Sequence, residues 1–167
     1  CTGLTSVTIP DSVTSMGSSV FAGCSGLESA IISNGVTSIG AAAFYMCSSL
    51  TSVTIPDGFT SMENQVFSGC NSLTSVTIPD SVTSIEDRAF AACRSLTSII
   101  IPDSVTIIKN QAFYGCSGLR KITIPASVVQ IGEDAFAGCE HCTFICPKGS
   151  YAEQYLQKAG LLPGPQQ

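Results

Sequence analysis

Charge is scarce in this chain. Only 11% of its 167 residues are Asp, Glu, Lys or Arg, well below the usual quarter. Seven basic residues face twelve acidic ones, for a net charge of -5. There is no basic patch, which argues against nucleic acid as a partner. Tryptophan is absent and histidine occurs once, as His141. Any Ser–His or Cys–His catalytic pair would have to use that one residue. No GxSxG elbow, GxGxxG loop or Walker sequence is present, so the sequence implies no enzyme and no cofactor. No apolar run approaches the ~18 residues that span a bilayer. The opening CTGLTSVTIP has neither a basic start nor an apolar signal core. Cys1 is not an initiator Met, which suggests a cut or processed N-terminus.

What replaces charge is Ser, Thr, Gly, short aliphatics and nine cysteines. An odd cysteine count leaves at least one unpaired. Three of them, with His141, crowd into CEHCTFIC at 139–146. Such a density of soft ligands raises zinc or redox chemistry as a reading.

Spacing organises the rest. Cys1, Cys24, Cys47, Cys70, Cys93, Cys116 and Cys139 are separated by 23 residues each. Leu4 recurs as Leu27, Leu50, Leu73, Leu96 and Leu119, and Phe21 as Phe44, Phe67, Phe90, Phe113 and Phe136. Pro10 recurs as Pro56, Pro79, Pro102 and Pro125, with Ser33 the one lapse. A strict period in this range is the signature of a repeat solenoid.

Within residues 70–92, Val76 and Ile78 alternate with Ser75 and Thr77, which is strand spacing. Pro79 cannot donate to a ladder and ends that strand. Asp80 and Ser81 suit a turn. Val82 and Ile85 mark a second short extended piece, and Asp87 to Phe90 read as one helical turn. No coil can bury its apolar face alone; stacking at ~4.8 Å joins the faces into one core. The expected division is an array over 1–146, with six full repeats and a partial seventh, a capping helix over 147–160, and a loose tail over 161–167. In the helix, Tyr151, Tyr155 and Leu156 are expected to lie over the last coil. The first coil starts at a repeat boundary without a polar cap. That suggests a fragment of a longer array, or an open end in weak end-to-end association; otherwise the chain is a monomer.

The pattern LxxVxIPxxVxxIxxxAFxxC resembles the BspA-like, or treponemal-type, leucine-rich repeats, from Cys1 to about Gly160. Ala30 and Phe59 are small departures from it. The resemblance implies a right-handed leucine-rich-repeat horseshoe. A parallel β-sheet would form one face, with short extended segments and helical turns on the other. It also implies secretion or display at a bacterial or protozoan cell surface, and adhesion to host matrix or plasma proteins.

Outward strand residues line the usual binding face of such a horseshoe. Here they form a row Ser6, Ser29, Ser52, Ser75, Ser98 and Lys121, and a second row Thr8, Ile31, Thr54, Thr77, Ile100 and Thr123. Ile31, Ile100, Arg120 and Lys121 break the pattern and are the stronger contact candidates. The hydroxyl rows suit a protein or a glycan, but they also suit plain solvation of a sheet. Asp11, Asp57, Asp80 and Asp103 form an acidic row that reads as turn formation ahead of calcium binding. Glu86/Asp87 and Glu133/Asp134 read as a solvated edge ahead of paired acid catalysis.

Cys24, Cys47, Cys70, Cys93, Cys116 and Cys139 should stack as a buried column beside the phenylalanines. Equivalent side chains in a stack point the same way, which suits thiols better than disulfides. Counting by 23 separates CEHCTFIC: Cys139 joins the column, His141 lies at the surface, Cys142 takes the Leu position, Ile145 points in and Cys146 points out. Four ligands facing different ways do not make a tetrahedral zinc site. Three readings remain: a binding or adhesion module, a structural spacer of a larger surface protein, and, least favoured, a metal-binding protein.

Overall fold

The structure, a computed structural model, describes residues 1–164. It is a parallel β-solenoid closed by one helix. Each coil contributes up to two strands. The longer ones are β1 (Ser6–Ile9), β3 (Ser29–Ile32), β5 (Ser52–Thr54), β8 (Ser98–Ile100), β10 (Lys121–Thr123) and β12 (Thr143–Ile145). The two-residue ones are β2 (Ser15–Met16), β4 (Ser38–Ile39), β6 (Ser61–Met62), β7 (Ser84–Ile85), β9 (Ile107–Ile108) and β11 (Gln130–Ile131). The helix α1 spans Tyr151–Lys158. All pairings are parallel and join neighbouring coils.

The core runs the length of the stack. One column holds Leu27, Leu50, Leu73, Leu96 and Leu119, each fully buried. Beside it, Phe21 to Phe136 stack ring on ring at 5.4–5.6 Å with nearly parallel planes. The pile ends on Phe144 and Tyr155, both edge-on to Phe136. A fully buried Val, Leu, Ile or Phe contributes roughly 1.5–3 kcal/mol, so these columns dominate the stability of every coil.

The segments expected as helical turns are instead runs of turns, for a definite backbone reason. Ser19, Ala42, Gln65, Arg88, Gln111 and Asp134 all adopt φ near 57°. The position four residues later is left-handed too, at φ 58° for Met46 and Ala92 and at 69–85° for Gly23, Gly69, Gly115 and Gly138. A helix would consume every N–H within itself. Here alternate N–H groups part company. Arg88, Phe90 and Ala92 donate across to Asn110, Ala112 and Tyr114 of the next coil, at 3.0, 2.8 and 2.7 Å. Ala89, Ala91 and Cys93 close local turns on Glu86, Arg88 and Phe90. The convex side is thereby bonded coil to coil like the strand side.

Both sheets are interrupted. The two-residue strands break between β4 and β6, beside Phe59, which fills the place of Val36, Val82, Val105 and Val128. The longer strands break at the fourth coil, where residues 74–79 form no strand. Thr74 still bonds Thr51 at 3.4 Å, while Ser75 to Ile78 donate to no backbone carbonyl among the described residues. Val76 and Ile78 remain buried there.

The last coil departs from the 23-residue count. Thr143, Phe144 and Ile145 pair with Lys121, Ile122 and Thr123, one residue fewer than the step between β8 and β10. Cys142 still keeps the Leu position, its N–H on the Cys139 carbonyl at 3.0 Å. The contraction therefore falls between Cys142 and Phe144. It turns Phe144 inward and leaves Ile145 exposed at 42%, against the expectation that Ile145 points in. Cys146 correspondingly follows Ile124 in the core-facing column and is half-buried against the core, rather than pointing out.

Ser150 caps α1, accepting from the Glu153 N–H at 3.2 Å, and Gly160 follows its end with φ 72°. Ala152 and Leu156 are the buried residues of α1. Tyr155 is half-buried, but Tyr151 faces solvent, unlike its expected place on the coil. Leu161 and Leu162 pack against the core and bond the Leu156 carbonyl, so the expected loose tail does not begin at 161. Its last three residues, 165–167, lie outside the described residues.

Candidate functional site

The strand face presents the two expected rows. In the first, Ser6, Ser52, Ser75, Ser98 and Lys121 are exposed and Ser29 is half-buried. In the second, Thr8, Thr54 and Thr77 are exposed and Thr123 is half-buried. Ile31 is 51% exposed and Ile100 70%. The shortened last coil adds Ile145 to the same row, which counting by 23 missed. Ile100 and Ile145 flank Thr123 on either side. Burial by neighbours cannot explain large aliphatic side chains standing in solvent on a sheet.

Two grooves meet at Ile100. One, of about 690 Å³, runs past Ile100, Pro102, Thr123, Pro125, Ile145 and Pro147. The other, of about 410 Å³, lies between the fourth and fifth coils and is lined by Ser75, Thr77, Ser98 and Ile100. Asp80 and Pro102 border both. Arg120 and Lys121 stand where the strand begins and Asp103 beyond where it ends. A ligand crossing the face thus meets positive charge on one side and negative on the other.

The acidic row is exposed at Asp11, Asp57, Asp80 and Asp103. Among the described residues no group of three or more His, Cys, Asp or Glu converges on a metal position. His141 is exposed, and Cys139 lies buried in the column. The convex edge carries a ladder that sequence reasoning missed. Asn64, Asp87 and Asn110 accept the backbone N–H of Asp87, Asn110 and Glu133, at 3.2, 2.9 and 2.9 Å. The signal was the 23-residue recurrence of Asn or Asp at one position. Glu86 pairs with Lys109 and accepts from Ser84, so this acidic pair is structurally engaged rather than a free edge. A further groove, of about 570 Å³, lies between the sixth coil and α1, where Tyr155 donates to the Gly132 carbonyl at 2.9 Å.

All nine cysteines are free. Cys24, Cys47, Cys70, Cys93, Cys116 and Cys139 are buried. From Cys47 onward each thiol in the column donates to the carbonyl of the Phe 26 residues earlier, at 3.1–3.4 Å. The column thus ties coil to coil. Burial pushes Cys47 up to about 11 and Cys139 to about 12, and Cys70, Cys93 and Cys116 further. These neutral thiols are poor nucleophiles.

The stacked coils, with an outward row on each strand and a buried Leu column, define a leucine-rich-repeat solenoid. The family profile described as BspA type leucine rich repeat region matches residues 1–117 and 83–155, in six copies. The chain belongs to that family. Among solved structures it is similar to a T. pallidum leucine-rich repeat protein, with 27% identity and a TM-score of 0.82, over 86% of this chain and 69% of the other. A leucine-rich repeat protein from Bacteroides ovatus shares 37% identity at a TM-score of 0.77, over 87% of this chain and 43% of its own length. The pneumococcal vaccine antigen PcpA, at 19% identity and a TM-score of 0.72 over 92% of this chain and 38% of its own, shares the fold. No curated protein matches by sequence. Among the described residues no helix is long and apolar enough to cross a membrane.

Proposed function

We propose that this chain is a non-enzymatic binding module, displayed outside the cell, that engages a protein or glycan partner across its strand face. The observation that carries this reading is Ile100, the most exposed of the large apolar residues at 70%. It stands on a paired strand between two grooves. Covering one such side chain contributes roughly 1.5–3 kcal/mol to association. The surrounding Ser and Thr hydroxyls offer donors and acceptors to a glycan or to an extended peptide. Display at a cell surface, and adhesion to host matrix or plasma proteins, follow from the family resemblance. The near-identity of the coils supports a second reading, a spacer that holds another domain at a distance.

The test is binding of the chain to immobilised matrix proteins, plasma proteins and glycans. Ile100→Asp combined with Lys121→Glu should weaken the interaction at least about tenfold, the equivalent of 1.4 kcal/mol. Undiminished affinity in the double variant overturns the strand-face reading, and absence of binding to every probe favours the spacer.

A further inference from the structure

Of the three cysteines in the last, partial coil, two occupy positions that in each full coil hold one thiol and one leucine. Cys142 occupies the position of Leu27, Leu50, Leu73, Leu96 and Leu119. Its N–H donates to the Cys139 carbonyl at 3.0 Å, as the Leu119 N–H does to Cys116 at 2.9 Å. In that turn Leu119 and Cys116 are both fully buried; in the last coil Cys139 is buried and Cys142 packs partly buried against the same core, its thiol 3.7 Å from the Thr143 carbonyl. Residues closing such a turn have Cα atoms within ~7 Å, which overlaps the disulfide range of about 4.4–6.8 Å. Cys146 lies at the far end of β12, about 13 Å along an extended strand, out of reach of Cys142.

Access differs between the two. Cys139 is 1% exposed, while Cys142 is half-buried, because the chain contracts beside it. Cys139 also makes the longest thiol–carbonyl contact of the column, 3.4 Å to Phe113, against 3.1–3.2 Å for the preceding rungs. Of the five rungs that make this contact, it has the longest.

We propose that Cys139 and Cys142 are an oxidisable pair that closes to an intramolecular disulfide by exchange with a small-molecule disulfide. The reachable Cys142 loses its proton, and its sulfur attacks the small disulfide. The S–S bond of the reagent breaks and its first thiolate leaves, taking up the proton. The Cys139 thiolate then attacks the Cys142 sulfur and expels the second small thiol, which takes up the proton from Cys139. Two protein thiols are oxidised and one small disulfide is reduced to two thiols. Burial holds Cys142 up at about 11 and Cys139 at about 12. The step is therefore slow at neutral pH and quickens as the thiolate fraction rises, about tenfold per pH unit. The product locks the seventh rung to the Leu column at the coil that precedes α1.

The test treats the full chain with oxidised glutathione at mildly alkaline pH, then counts thiols and maps peptides. Trypsin releases residues 122–148 as one peptide, and cleavage after Glu140 parts Cys139 from Cys142. The expected result is a loss of two of the nine thiols, with the two fragments joined across the Glu140 cut until reductant is added. Cys142→Ser should abolish the link and Cys146→Ser should keep it, each variant checked for native circular dichroism. A stable glutathione adduct on Cys142 with Cys139 free overturns the proposal. So does a link through Cys1 or Cys146, or an unchanged thiol count.

Discussion

Removing one ring from the phenylalanine pile tests whether the columns hold the array together. Phe90 is fully buried, with centroids 5.6 Å from Phe67 and 5.4 Å from Phe113. Phe90→Ala removes the ring's burial and both stacking partners and leaves a cavity that flanking coils cannot close without breaking their own bonds. The expected cost is about 3–5 kcal/mol. Phe21 has one ring neighbour, Phe44 at 5.4 Å, and is half-buried; Phe21→Ala should cost about half as much. Coupling should be local as well. A double-mutant cycle on Phe90 and Phe113 should give about 0.5–1.5 kcal/mol, whereas Phe44 and Phe113, three rungs apart, should be additive within about 0.5 kcal/mol. Urea melts followed by circular dichroism read all of these. Equal losses at Phe21 and Phe90, or strong coupling between Phe44 and Phe113, would refute the argument that burial in a nearest-neighbour stack sets stability.

The left-handed convex positions give a sign test: Ala92 has φ 58°, so Ala92→Gly should raise stability by about 0.5–1 kcal/mol. Gly138→Ala should lower it, since its φ is 85° and an added Cβ would meet the Gly115 Cα at 2.9 Å; the pair of melting temperatures checks both. Folding raises the buried thiols above their ordinary 9.0, so the native state holds their protons more tightly than the unfolded chain. The stability from these thiols is full below pH 9 and falls above it, by on the order of 1 kcal/mol per pH unit for each titrating thiol; urea melts at pH 8 and pH 10.5 that coincide would contradict it. The amides of Ser75, Val76, Thr77 and Ile78 should exchange with deuterium ahead of those of Ile99 and Ile122, which belong to paired strands; equal protection would mean that the sheet is continuous in solution.

The recurrence at one interval was enough to place the Leu, Cys and Phe columns and the strand face, because each coil must bury the same faces against copies of itself. What the interval concealed lies where the chain leaves it. The step from Lys121 to Thr143 is a residue short, and in a strand one residue reverses every side chain. Ile145 and Cys146 therefore exchange the faces that counting assigns them. The residues preceding Phe44 to Phe136 look helical by composition. Gln65, Arg88 and Gln111 adopt left-handed φ because their N–H groups are claimed by the next coil, a demand that a single unit does not reveal. The Asn64, Asp87 and Asn110 ladder was visible as a recurrence. Its meaning depended on which backbone group lies above each side chain, and only the stacked coils show that.

The thiol–carbonyl tie spans 26 residues at every rung that has it. A tie of fixed reach makes the coil an indivisible quantum of length. Adding or deleting a whole 23-residue unit between rungs would renew every donor, acceptor and ring contact unchanged. A single inserted residue in the middle would misalign all coils beyond it. The one-residue contraction sits after Cys142, where only β12 and α1 follow, and few later contacts depend on the count. In genetic terms, variation in this array should come as duplicated or lost units within its body, and as small insertions and deletions only near its capped end.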